Sequence, residues 1–207
     1  MKCLSLTNLP EAVAQVCRKD PDLAAVVARF GVPPLWDRPP GFASLMLIIL
    51  EQQVSLSSAR AAFHKLLKAA GNDLTPEKFL GFTDRKLKEI GFSRQKTAYG
   101  RGLAQAVWHQ DFDLKRLETL DDGAVRKKLL QLKGIGPWTA DIYLVMALLR
   151  PDVWPQGDLA LAKAVQEVKN LSYRPDNKTL AKMADQWKPY RSVAARIVWF
   201  HYLKGKG

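Results

Sequence analysis

Residues 124–165 read AVRKKLLQLKGIGPWTADIYLVMALLRPDVWPQGDLALAKAV, and the fold turns on how this stretch breaks. A first helix is expected to run to Leu132 and to stop at Gly134-Ile135-Gly136. The two glycines tolerate φ > 0 or close backbone approach, so the chain can reverse within two or three residues. Pro137 suits the first turn of the next helix, where a missing N–H costs nothing. Ile135 is expected to plug into the apolar faces on either side. The product is two helices joined by a very short hairpin, spanning about residues 124–149. The opening amides of the second helix lack intrahelical acceptors and form a ready anion site. Lys133, Gly134, Gly136, Pro137 and Thr139 are the candidate phosphate contacts, with Lys127 and Lys128 close in sequence. Such a hairpin would grip a phosphate backbone without reading its sequence.

About twenty residues on, Gly157-Asp158 precedes the helical run LALAKAV. Asp158 is the only acid between Asp152 and Glu167 and falls on the expected N-cap. The helix dipole and amide N–H groups favour a carboxylate there, which makes it a fixed negative charge. On these residues alone, a capping role and a catalytic one both stay open.

Composition sets the outer limits. With 207 residues and 47% hydrophobic content, the chain can bury one good core or two small helical lobes. The net charge of +12 is uneven: residues 1–90 carry 12 basic and 9 acidic side chains, residues 91–207 carry 20 and 11. The excess lies in the half that holds the hairpin, as a polyanion-binding surface requires. Only Cys3 and Cys17 are present, which excludes a four-cysteine iron–sulfur cluster and argues against a disulfide scaffold. His64, His109 and His201 lack the spacing of a zinc site. The apolar run FASLMLIIL is too short to span a bilayer and ends in Glu51-Gln52-Gln53. A soluble protein, monomeric and cytoplasmic (nucleoid-associated in a bacterium), is the expectation.

Taken in order, the chain is punctuated by glycine and proline between helical runs, and β-alternation is scarce. A helix over Thr7–Arg18 has Pro10 in its first turn, and Asp20-Pro21 starts a second that Gly31 ends. Trp36 and Phe42 lie on or beside a proline-rich linker, open to either a cleft or a core role. FASLMLIILEQQ reads as a buried central helix followed by SLSSARAAFHKLLKAAG. Short helices over Pro76–Leu80 and Asp84–Ile90 precede SRQKTAYGRGLAQAVWH, where Gly100 and Gly102 weaken the helix or admit a close neighbour. Asp141 in the second hairpin helix is expected to be solvent-facing or structural.

LKGIGPWTADIYLVMAL, PQGDLALAKAV and WKPYRSVAARIVWF together resemble the helix-hairpin-helix DNA glycosylase superfamily, and most closely its 3-methyladenine DNA glycosylase II branch. PPGFASLMLIILEQQVSLSSARAAF is similar to the preceding helix pair, so the likeness runs from about Pro39 to Leu203. It implies an all-α fold with two helical lobes around a DNA-binding cleft, residues 39–120 mainly in one lobe and 1–38 with 121–207 mainly in the other. About 38 residues precede Pro39, too few for the β-rich N-terminal lobe of related enzymes, so a compact form is expected.

The resemblance also implies roles. Asp158 becomes the carboxylate that supports cleavage of a base–sugar bond. Trp138 is a candidate to stack on a flipped base, with core packing as its other reading. It stands where bifunctional relatives carry a nucleophilic lysine, which predicts hydrolysis by water. Ile142, Trp187 and Tyr190 are further pocket candidates, and Ile142 occupies a position that is a tyrosine in some relatives. Gln53, with Gln52 beside it, is the candidate wedge into duplex DNA; two exposed C-terminal glutamines are the plainer reading. Arg191-Ser192 either makes polar contacts at the start of the last helix or docks it structurally. No cofactor is required, although a K⁺ or Na⁺ ion on the backbone carbonyls of Leu132 and Ile135 is possible. The partner is duplex DNA containing damaged bases, alkylated purines first. The alternatives are a bifunctional glycosylase/abasic lyase for oxidised bases and a non-catalytic DNA-binding module.

Overall fold

The computed structural model describes residues 2–205, which form twelve α-helices and no β-strand. They are α1 (Leu9–Lys19), α2 (Pro21–Phe30), α3 (Phe42–Glu51), α4 (Leu56–Ala69), α5 (Pro76–Leu80), α6 (Asp84–Ile90), α7 (Arg94–Trp108), α8 (Asp122–Leu129), α9 (Pro137–Met146), α10 (Leu159–Val168), α11 (Asn177–Ala184) and α12 (Arg191–Lys204). Local capping sets many of these starts. Asp20, Ser55, Thr75, Thr83, Ser93, Asp121, Asp158 and Asp176 each accept a first-turn amide with the side chain. No helix among the described residues is long and apolar enough to cross a membrane.

The chain divides into two compact units. Arg38–Tyr143 is one; the residues up to Asp37 together with those from Leu144 onward are the other. The boundary at Tyr143 groups residues 121–143 with 38–120, where the sequence suggested a break near 120.

In the Arg38–Tyr143 unit, α3 is apolar almost all round and buried along most of its length. α7 packs against it through Gly100: a Cβ there would lie 2.7 Å from the Phe79 ring and 3.1 Å from Met46 Cε. Gly102 faces open space. Phe42 packs on Phe79 with ring centroids 6.1 Å apart, which makes it a core residue. Arg38 closes the unit's edge with a two-pronged ion pair to buried Glu51, at 2.9 and 2.8 Å.

α8 stops at Leu129, three residues short of the expected Leu132. The amides of Gln131 and Leu132 bond three residues back, to Lys128 and Leu129, so the chain tightens out of α geometry before the glycines arrive.

The other unit is built on α12, whose middle is buried all round. Trp36 packs edge-on against Phe200 of this helix. Arg196, 0% exposed, donates to three main-chain carbonyls: Leu35 (3.0 Å), Ser192 (3.2 Å) and Val145 (2.8 Å). Burial lowers its guanidinium to about 10, so it is still a cation at neutral pH.

A second buried polar cluster centres on Asp20. Its carboxylate caps α2 and accepts from Lys169 Nζ (2.6 and 2.7 Å) and from the Trp187 indole N–H (2.7 Å). Burial by itself would raise this carboxyl. The hydrogen bonds from Lys169, Trp187 and the Leu23 amide outweigh it and hold the group below its ordinary 3.8. Lys169 is shifted up: burial opposes its charge, and Asp20 and Asp22 overcome that. Asp20→Asn is therefore expected to cost about 3 kcal/mol at neutral pH, since it leaves an inward lysine short of its partner. A carboxylate whose folded pKa is depressed contributes fully above its unfolded value and fades as pH falls through the folded one. Denaturant melts should show the wild-type advantage constant between about pH 5 and 8 and shrinking below about pH 4.

Candidate functional site

The hairpin is assembled within the Arg38–Tyr143 unit. Val125 and Leu129 of α8 are buried, Ile135 enters the core between the glycines as expected, and α9 follows at Pro137. Gly134 has φ +92, and a Cβ on it would sit 2.1 Å from Tyr99 Cγ, so the Tyr99 ring occupies the space that any side chain would need. Gly136 has no atom near its would-be Cβ, which leaves the backbone there open to approach. Pro137 and Lys133 are exposed beside it, whereas Thr139 is buried.

Two polar ties fix the hairpin. Asp141, 0% exposed, forms an ion pair with Arg126, which pins α9 to α8. It is therefore the structural residue of the two roles expected, and no part of it is solvent-facing. Gln52 donates from one amide nitrogen to Gly134 O (2.8 Å) and Thr139 Oγ1 (3.0 Å).

The structure thus separates the two glutamines expected to act together. Gln52 is half-buried and faces the hairpin, while Gln53 is exposed in a left-handed conformation, φ +56. Val54 and Leu56 on the same turn are also exposed. Such a positive φ at Gln53 is uncommon for a residue with a side chain, and it turns the chain sharply just after α3.

Trp138 is half-buried in the first turn of α9. Ile142 is core. Its neighbour Tyr143 is fully buried with its hydroxyl accepting from Gly41 N at 3.0 Å, and burial raises the phenol to about 12.

For a cation on the hairpin, Leu132 O accepts the Ile135 amide at 3.0 Å, which leaves one lone pair. Main-chain carbonyls are ligands that K⁺ and Na⁺ take, and that lone pair is what Leu132 could offer one. No cluster of His, Cys, Asp and Glu suited to another metal occurs among the described residues.

In the other unit, Asp158 caps α10 as expected. Its Oδ1 accepts from Leu161 N at 2.8 Å, and the carboxylate is half-exposed. Gly157, φ +78, turns the chain just before it and donates its amide to Asn177 Oδ1 at 3.2 Å. Leu159, next in sequence, is 70% exposed. A carboxylate held this way cannot swing into the helix and keeps one oxygen set by the cap.

The aromatics of this unit split. Trp187 is 1% exposed, hydrogen-bonded to Asp20 and packed at a tilt against Trp154 with centroids 5.2 Å apart, a core residue rather than the pocket residue expected. Tyr190 is half-buried at the start of α12. The sequence reading missed the contacts of Asp152, whose main partner lies 39 residues away at Arg191. Nothing in PDVW or WKPYRS by itself announces that the two segments meet.

Residues 46–189 match the family model described as HhH-GPD superfamily base excision DNA repair protein. The chain is 23% identical over 202 residues to the DNA-3-methyladenine glycosylase of Bacillus subtilis, covering 89% of this chain and 65% of that one. It thus spans just under two thirds of that relative's length. Among solved structures, a DNA-3-methyladenine glycosidase from Bacillus halodurans is 30% identical with a TM-score of 0.75, covering 96% of this chain and 91% of that one. The 3-methyladenine DNA glycosylase of Schizosaccharomyces pombe, solved with abasic DNA, shares the fold at TM-score 0.86 and 24% identity, covering 91% and 95%.

The Gly134–Tyr99 contact makes a prediction about the hairpin. Gly134→Ala is expected to cost about 2 kcal/mol or more through overpacking and a strained φ, a melting-temperature fall of roughly 4–8 °C. Adding Tyr99→Ala should recover part of that loss, so the double variant melts above the sum of the singles. Gly136→Ala, with open space around it, should change the midpoint by no more than about 1–2 °C.

Proposed function

Because the chain belongs to the HhH-GPD superfamily of base excision DNA repair proteins, we propose that it is a monofunctional DNA N-glycosylase. Its reaction is hydrolysis of the C1′–N bond of alkylated purines such as 3-methyladenine in duplex DNA, leaving an abasic site. The observation that carries this reading is the half-exposed carboxylate of Asp158, pinned by the Leu161 amide at the start of α10. The names of the relatives support the alkylated substrate class.

A stacked base must leave the duplex before its glycosidic bond can be reached. Gln53 is the residue we assign to the vacated space, because it is exposed on the sharp turn that follows α3. Gln52 supports it from behind by holding the hairpin. Lys133, Gly134, Gly136 and Pro137 form the phosphate grip, backbone and the exposed lysine contacting a strand without reading bases, while Thr139, expected to join them, is buried and instead accepts from Gln52. A K⁺ or Na⁺ ion on the carbonyls of Leu132 and Ile135 would add positive charge facing a phosphate.

As the C1′–N bond breaks, positive charge develops on the sugar, and a fixed carboxylate stabilises it without reorganising. Asp158 takes that role and orients or deprotonates the attacking water. A purine nucleotide alkylated at N3 or N7 is already cationic, and its base leaves without a strong general acid. Trp138 offers it a flat face with cation–π attraction, and the half-buried Tyr190 is a second aromatic for the base. Trp187 and Ile142 act from the core as supports of these positions. The protein acts as a monomer on DNA.

Trp138 in place of a lysine predicts the chemical outcome. Incubation with methylated duplex DNA in the presence of borohydride should yield free methylpurines and abasic sites with no covalent adduct. A trapped protein–DNA adduct in good yield would contradict attack by water.

A further inference from the structure

The segment that carries Asp158 is anchored by residues to which no role has yet been given. Between α9 and α10 the chain runs through Pro151-Asp152-Val153-Trp154, and α12 begins with Arg191-Ser192. Arg191 donates to Asp152 with its amide (3.2 Å) and Nε (2.9 Å) on Oδ1. Its Nη2 donates to Oδ2 and to the Asp152 carbonyl, both at 2.9 Å. Ser192 completes the match. Its amide donates to Pro151 O at 3.0 Å, and its hydroxyl accepts from Val153 N and donates to Val153 O, each at 3.0 Å. Trp154 then packs at a tilt against Trp187.

These contacts fix main chain, not just side chains. Three consecutive residues, 151 to 153, have carbonyl or amide groups bound to the first two residues of α12. Arg196, one turn further along α12, holds Val145 O at the other end of the same crossing. Downstream, Asn177 takes the Gly157 amide. An arginine suits this work because its planar fork can serve a carboxylate and a carbonyl together, which a lysine cannot do. The Arg191–Asp152 pair is about three-quarters buried on each side, so water does not easily replace it.

We infer that Arg191, Asp152 and Ser192 are positioning residues for the catalytic step. They brace residues 151–157 so that the Asp158 carboxylate is held where charge develops. The inference rests on Asp158 being the catalytic carboxylate. It assigns the Arg191-Ser192 part of WKPYRS to setting that carboxylate in place, in addition to starting α12. The rival explanation is that packing of α10 alone fixes Asp158 and that the Arg191 network serves only stability.

Two measurements separate these explanations. The first is hydrogen exchange in Arg191→Lys and Asp152→Asn, which does not depend on activity. Exchange at the amides of Val153, Gly157 and Leu161 should rise about tenfold or more, with α1, α2 and the Arg38–Tyr143 unit unchanged. Unaltered protection at these amides would overturn the brace whatever the protein does to DNA. The second is a double-mutant cycle on the single-turnover rate of methylpurine release with saturating protein. Arg191→Lys alone should lower the rate about tenfold while DNA affinity stays within about twofold. In an Asp158→Asn background it should lower the residual rate by less than about twofold, because its effect passes through that carboxylate. Equal falls in both backgrounds would overturn the inference. Absence of release by the wild type would instead refute the glycosylase reading, with the exchange experiment still deciding the brace.

Discussion

A buried arginine holds the unit made by the two ends of the chain. Arg196 brings together Leu35, Val145 and Ser192, of which the first two lie 161 and 51 residues from it in sequence. A cation with no exposure is costly unless each of its donors is met, and leaving carbonyls orphaned would cost about 1–3 kcal/mol apiece. The group and its partners are therefore mutually dependent. Removing the arginine takes a donor from each of three carbonyls, and moving any one of those segments leaves the guanidinium short of an acceptor. That dependence fixes the end of α9 against α12, and through it the start of the crossing that leads to Asp158.

The hairpin follows the same logic on a smaller scale. Its turn is set by one glycine that a tyrosine ring overlies, one glutamine amide shared between a carbonyl and a hydroxyl, and one buried ion pair. Each polar group used inside the unit frees the outer face. The Gly136 backbone is open, Pro137 and Lys133 are exposed, and Gln53 is exposed on a turn whose neighbour Gln52 is tied down. Rigid support beneath an open backbone suits recognition of phosphate, where position matters more than side-chain identity.

What could be read from the sequence was what is local. Ser55, Thr75, Thr83, Ser93 and Asp158 cap helices through amides three residues away, and the short helices α5 and α6 begin and end where threonine and glycine place them. The α8 end was misplaced because i→i+3 bonds at Gln131 and Leu132 leave no compositional trace. Distant pairing stayed hidden. Nothing near Gln52 announces partners 82 and 87 residues away, and nothing in WKPYRS reveals that Trp187 meets Asp20 across 167 residues. The difference between Gln52 and Gln53 is a single backbone torsion, φ −60 against +56. An aromatic residue in a sequence has no sign of which way it faces, and for that reason Trp187 and Tyr190 looked equivalent.

The account stands on one carboxylate. The most direct measurement compares methylpurine release from alkylated duplex DNA by the wild type and by Asp158→Asn at matched DNA occupancy. The amide keeps the capping oxygen and removes the charge. We expect release to fall at least about 100-fold with DNA binding retained, a loss of about 2.7 kcal/mol of transition-state stabilisation. Release at the wild-type rate by Asp158→Asn would contradict the account.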